Sequence, residues 1–130
     1  MIEDLQTHYK VLVADDDEDF LELIQLRLTL DGFRTQVSPN AKNIFVMIAA
    51  EAPDIILLDI KMKDVNGADV CRMLKSDPAT HDIPVIIFSA NHNIREIATE
   101  CGANECITKP FDSKRLKEKL LEFIKDRHAA

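Results

Sequence analysis

Five short runs rich in apolar and β-branched residues punctuate the chain: YKVLVA (9–14), FRTQV (33–37), DIILLD (54–59), PVIIFSA (84–90) and ECITK (105–109). Three of them contain apolar stretches with no polar alternation, VLVA, IILL and VIIF. A strand of that kind is stable only when both of its faces are covered. Longer segments of helical period separate the runs, so the order is βαβαβαβαβα, which predicts a mostly parallel sheet sandwiched by helices. A length of 130 residues with 46% hydrophobic content suffices for one core but leaves no room for two domains.

The helical stripes are read from their spacing. Phe20, Leu23, Ile24 and Leu28 mark the first; Ala41, Ile44, Phe45 and Ile48 mark the second at i, i+3, i+4, i+7. Gly67, Val70, Cys71 and Leu74 give a third, and Ile94, Ile97, Ala98 and Cys101 a fourth. Leu116, Leu120 and Ile124 face inward from a last helix that is rich in lysine elsewhere. Ser38 before Pro39 predicts an N-cap with proline at the first helical position, and Asn93 with Glu96 resembles a capping box. Gly32 and Gly102 stand where helix-ending glycines belong. The first eight residues and the tail DRHAA read as peripheral.

The formal charge of −7 and a pI near 5.0 disfavour nonspecific nucleic-acid binding, which depends on basic contacts to phosphates. A protein or a cation is the expected partner. Cys71, Cys101 and Cys106 lack metal-ligand spacing and read as small core hydrophobes in a reducing compartment. The N-terminus MIEDLQTHYK has no apolar signal region, and no run approaches the roughly 18 residues of a membrane span. A cytoplasmic, soluble protein is expected.

Sites in open parallel sheets form at the carboxyl ends of the strands. The residues there are Asp15 and Asp16 after the first run, Asp59 after the third, Ser89 after the fourth and Lys109 after the fifth. Each alone has a plainer explanation. The acidic run DDDED (15–19) suits a helix N-terminus and solubility, Asp59 suits a turn bonding its own backbone, Ser89 suits a helix cap, and Lys109 suits a solvated surface. Four such strand ends converging on one rim are harder to explain separately. Three carboxylates in one crevice repel unless a cation neutralises them, and oxygen-only ligands favour a hard ion such as Mg²⁺. An ionised Asp can then accept a phosphoryl group, with the ion and a lysine spreading the transferring charge and a hydroxyl bonding the phosphoryl oxygens.

These residues resemble the receiver domain of two-component response regulators, a flavodoxin-like α/β/α fold with a five-stranded parallel sheet in the order 2-1-3-4-5 and five helices. VLVADD, DIILLDIKMKDVNG, IIFSA and GANECITKPF occur in that family's order and spacing. The likeness runs from about Lys10 to Ile124, within a single receiver domain expected over 1–130. It implies that Asp59 is the phosphorylated aspartate and that Asp15 and Asp16 bind Mg²⁺, Asp16 directly and Asp15 directly or through water. The Lys61 backbone carbonyl would complete the protein ligands. Ser89 would be the switch hydroxyl, with Ala90 the small residue beside the phosphoryl group. Lys109 would pair with that group, and the Lys109–Pro110 bond is expected to be cis.

The implied function is that of a phosphoacceptor signalling domain rather than a classical enzyme. A histidine kinase or histidine phosphotransfer protein would donate to Asp59, and the surface of the fourth helix, fifth strand and fifth helix would switch. That switch would alter binding of a downstream protein or linked output domain, or favour a homodimer; neither nucleic acid nor membrane is implied. Two positions depart from the family pattern. Lys63 stands where proline is usual, which should alter the mobility of the loop after Asp59. Cys106 stands where Tyr or Phe usually couples to the switch hydroxyl, which directs the signal through Ser89 and the helix after it.

Rival classes fit less well. A haloacid dehalogenase-type phosphatase would use Asp15 and Asp17 as DxD, but it needs a later acidic pair that KPFDSKRLKEKL does not offer. A flavin carrier of this fold needs a neutral phosphate loop where DDDED would repel phosphate. A phosphorylation-independent interaction module would not need the full set of Asp15, Asp16, Asp59, Ser89 and Lys109. Six residues after Ile124 suit either a free-standing regulator or a receiver cut from a longer chain, while Met1 leans toward a natural N-terminus.

Overall fold

Residues 9–129 are described by a computed structural model, in which five strands and five helices alternate. The strands are β1 (Lys10–Ala14), β2 (Arg34–Ser38), β3 (Ile55–Asp59), β4 (Val85–Ser89) and β5 (Glu105–Thr108). The helices are α1 (Glu18–Leu30), α2 (Ile44–Glu51), α3 (Gly67–Ser76), α4 (Ile94–Cys101) and α5 (Ser113–Ala129). All strand pairings are parallel, in the order β2-β1-β3-β4-β5, which is the flavodoxin-like arrangement expected from the sequence.

The unbroken apolar runs follow from burial on both faces. Leu12, Ala14, Ile56, Leu58, Val85 and Ile87 point to the side covered by α2, α3 and α4. Their neighbours Val11, Val13, Ile55, Leu57, Ile86 and Phe88 point to the side covered by α1 and α5. Side chains alternate along a strand, so two cores on opposite faces require an apolar residue at every position. Each fully buried Leu or Ile contributes about 1.5–3 kcal/mol relative to exposure. Cys71 and Cys101 are buried and free, as small core residues should be, whereas Cys106 is only half-buried.

Several local expectations need correction. In α1 the buried residues are Leu21, Ile24 and Leu28, with Phe20 half-buried, while Leu23 is 68% exposed. Leucines also fall at 26 and 30, so the helix carries two leucine stripes, and periodicity alone cannot choose the inner one. Ser38 is not a helix cap. It ends β2, its carbonyl accepts from the Asp15 amide (3.1 Å), and its Oγ donates to the Asn40 carbonyl (2.6 Å). Helix α2 begins only at Ile44. Asn93 does precede α4, but its side chain makes no capping bond.

Gly32 and Gly102 do take positive φ at the ends of α1 and α4. The tail is less peripheral than its composition suggests, because Arg127 donates to the Pro53 carbonyl (3.2 Å) and His128 Nε2 lies 2.9 Å from Asp54 Oδ1. The first eight residues, also expected to be peripheral, lie outside the described residues.

Ala52 closes α2 in the left-handed region, at φ 49° and ψ 63°, with its amide bonded to the Ile48 carbonyl. An L-residue there is disfavoured by the approach of Cβ to the backbone, and glycine is not. Ala52→Gly is therefore expected to raise stability by about 0.5–1 kcal/mol, read as a higher urea midpoint with an unchanged slope. A lower midpoint would contradict it.

Candidate functional site

The carboxyl edge of the sheet gathers the residues singled out from sequence. The Asp15 amide extends the β1–β2 ladder by its bond to Ser38, which fixes Asp15 just past β1 with 1% of its surface exposed. Its Oδ1 accepts from the Asp17 amide (3.0 Å) and its Oδ2 from Lys109 Nζ (2.9 Å). Asp17 is the N-cap of α1, its side chain accepting from the Phe20 amide (3.2 Å). The acidic run therefore divides its roles: Asp17 caps, Glu18 and Asp19 sit in the first helical turn, and Asp15 turns toward the sheet edge.

Asp59 is the last residue of β3 and 6% exposed. No backbone amide among the described residues bonds its carboxylate, so it is not a turn-forming aspartate. One oxygen from each of Asp15, Asp16 and Asp59 lies within 4.8 Å of the others. Lys109 Nζ stands 3.8 Å from Asp59 Oδ1 in addition to its bond with Asp15. Lys109 is held from both ends. Its amide donates to the Ser89 carbonyl (2.9 Å), and its ammonium sits 4.6 Å and 4.8 Å from the ring centroids of Phe20 and Phe88. Those contacts favour a cation at this spot. The Lys109–Pro110 peptide is cis.

Ser89 is buried at the end of β4, opposite Thr108 of β5, and its Oγ accepts from the Asn91 amide (3.1 Å). It caps no helix, since α4 starts at Ile94. Lys61 is exposed in the loop after β3, where it pairs with Asn66 across an antiparallel bridge. Asn66 in turn caps α3 by accepting from the Ala68 amide (2.8 Å). Cys106 packs beside the core under α4 and lines a groove of about 340 Å³ with Arg95, Phe111 and Arg115. Burial pushes its thiol upward, with the nearby Arg95 opposing the rise.

Two features of the site were not read from sequence. Gly67 opens α3 with its amide on the Ile60 carbonyl (2.7 Å), and a Cβ there would lie 2.0 Å from the Asp59 carbonyl oxygen. Only glycine lets the helix approach the strand end so closely. Its place in an apolar stripe concealed that role. The second is the Lys63 amide, which donates to Asp16 Oδ2 (2.9 Å). A backbone donor leaves no trace in residue identity.

Burial and the adjacent Asp15 push the Asp59 carboxyl from an ordinary 3.8 up to about 7, with Lys109 opposing the rise. Three close carboxylates facing one ammonium are short of positive charge. Their all-oxygen donor set fits a hard divalent cation.

A family model described as "Response regulator receiver domain" matches residues 11–121. The response regulator PleD of Caulobacter vibrioides is 37% identical over 109 residues, covering 82% of this chain and 24% of PleD. The receiver domain of a signal transduction histidine kinase from Syntrophus aciditrophicus superposes with a TM-score of 0.83 at 26% identity, covering 91% of each chain. A CheY-like receiver domain protein from Methanospirillum hungatei gives a TM-score of 0.84 at 21% identity, covering 93% of this chain and 97% of that one. The chain spans only about a quarter of PleD and about half of other curated relatives it matches. No described helix is long and apolar enough to cross a membrane.

The raised Asp59 carboxyl means the folded state holds that proton more tightly than the unfolded chain does. Folding stability from this group is thus lost as pH rises from the ordinary 3.8 through about 7. Without metal, Asp59→Asn is expected to gain stability relative to wild type across that window and to hold the gain above it. Urea denaturation from pH 4 to pH 8 measures the difference, and a gain independent of pH would contradict the assignment.

Proposed function

The chain belongs to the response regulator receiver domain family of two-component signalling, and from that premise we propose that Asp59 is its phosphoacceptor. The observation that carries this reading is the placement of Asp59 at the end of the buried central strand, with Lys109 Nζ 3.8 Å away and the Asp15 and Asp16 carboxylates beside it. Asp15, Asp16, Asp59 and the Lys61 carbonyl would hold Mg²⁺. Bound there, the ion would neutralise the cluster and share the charge of the transferring phosphoryl group.

The chain's own groups account for the rest of the chemistry. An Asp59 oxygen attacks the phosphorus of a phosphohistidine on a histidine kinase or histidine phosphotransfer protein. The N–P bond breaks as the O–P bond forms, and the departing imidazole takes its proton from solvent. Lys109, already facing both Asp15 and Asp59, exchanges part of its carboxylate contact for the phosphoryl oxygens. The Ser89 hydroxyl donates to another phosphoryl oxygen, and exposed Ala90 leaves space beside it. Later attack of water on phosphorus restores the carboxylate and releases inorganic phosphate.

Residues 1–130 would act as one receiver domain in the cytoplasm. Phosphorylation would bias the surface of α4, β5 and α5 toward one of two arrangements, altering affinity for a downstream protein, a linked output domain or a second copy. Direct nucleic-acid or membrane binding forms no part of this function.

Incubation with a small acyl-phosphate donor tests the reading by mass spectrometry. Wild type should gain one phosphoryl group only when Mg²⁺ is present, and Asp59→Asn should gain none. Equal labelling of the variant would remove Asp59 from its role. No labelling of wild type under any condition would favour a receiver-fold interaction module that works without phosphorylation.

A further inference from the structure

We propose that the backbone amide of Lys63 is a positioning donor for Asp16, holding one carboxylate oxygen so that the other serves as the metal ligand. The inference rests on the reading of the acidic cluster as a divalent-cation site. The three carboxylates are held differently. Both Asp15 oxygens already accept protein donors, from the Asp17 amide and from Lys109. Asp16 is half-exposed, and its only bond among the described residues is Oδ2 to the Lys63 amide, across 47 positions of sequence. Its Oδ1 has no protein donor among those residues.

A half-exposed carboxylate without such a bond would rotate freely, and a ligand that must be ordered on binding weakens the site. Hydrogen-bonding the oxygen that does not ligate is how outer partners orient metal ligands. Lys63 is itself well placed to act as a fixed point. Lys61 is bridged to Asn66, and Asp64 accepts the Ala41 amide through Oδ2 (3.1 Å), so the segment is tied down on both sides of residue 63. The bond therefore joins the loop after β1 to the loop after β3, the two loops whose residues line the cation site.

The donor is an amide, so the side chain is immaterial except that proline would abolish it. Lys63→Ala and Lys63→Pro both remove the ammonium charge, and they differ in the N–H. Mg²⁺ affinity of the two, measured by isothermal titration calorimetry without any phosphodonor, should differ by about tenfold in favour of Lys63→Ala. Equal affinities, or tighter binding by Lys63→Pro, would overturn the proposal, the latter by showing that the amide competes with the ion.

A measurement on wild type stands independently of how the proline variant folds. Amide exchange at Lys63, followed by NMR, should stay slow or become slower as Mg²⁺ saturates the protein. Faster exchange on saturation would overturn the proposal. If wild type binds no Mg²⁺ at all, the cation-site reading falls and this one with it. If it binds and the two variants match, only the role of Lys63 falls.

Discussion

The balance between three carboxylates and one ammonium governs this molecule. Asp15, Asp16 and Asp59 converge to within 4.8 Å, yet only Lys109 among the described cations pairs with them, at 2.9 Å from Asp15 and 3.8 Å from Asp59. Burial raises the cost of every uncompensated charge, and the upward shift of Asp59 is the direct sign of it. A fold that existed only to be stable would not assemble such a cluster. The arrangement becomes reasonable when the shortage of positive charge is what attracts a cation, and when the charge of a phosphoryl group can later be shared by the same neighbours.

The sheet makes that tension sustainable. Parallel strands place their carboxyl ends on one edge, and β1 and β3 are adjacent, so the two acidic loops meet without any long-range contrivance. Ile55 through Leu58 are all buried, which locks the backbone that carries Asp59. Gly67 then allows α3 to begin against the Asp59 carbonyl, and Phe20 and Phe88 confine the Lys109 ammonium from the other side. Rigid packing thus replaces the freedom by which the carboxylates would otherwise separate.

What was legible in sequence and what was not divide along the same physical line. Strands buried on both faces must be apolar throughout, so VLVA, IILL and VIIF announced the sheet. Asp15, Asp16, Asp59, Ser89 and Lys109 were visible because each interrupts or follows an apolar run at a defined end. By contrast, the two leucine stripes of α1 are equivalent in periodicity, and only packing selects Leu21 over Leu23. Ser38 looked like a cap because Ser-Pro is compatible with one, but its backbone was already committed to the β1–β2 ladder. The closeness of Gly67 to Asp59 and the Lys63 amide bond are backbone relations between separate segments. Residue type does not encode them.

Ser89 shows how the proposed charge transfer would become a movement. A serine hydroxyl has one proton to donate and two lone pairs with which to accept. One lone pair is engaged by the Asn91 amide, while no acceptor among the described residues takes the proton. Ser89 can therefore donate to an arriving phosphoryl oxygen without releasing Asn91. A displacement of the hydroxyl toward Asp59 would then pull, through the Asn91 amide, on the segment that leads into α4. Cys106 offers no ring to rotate, and its half-buried thiol sits under the groove lined by Arg95 and Arg115 rather than filling it. With that aromatic route missing, the hydrogen-bonded segment from Ser89 to Asn91 would be one link between the proposed phosphoryl site and the α4–β5–α5 face, beside Lys109 at the end of β5.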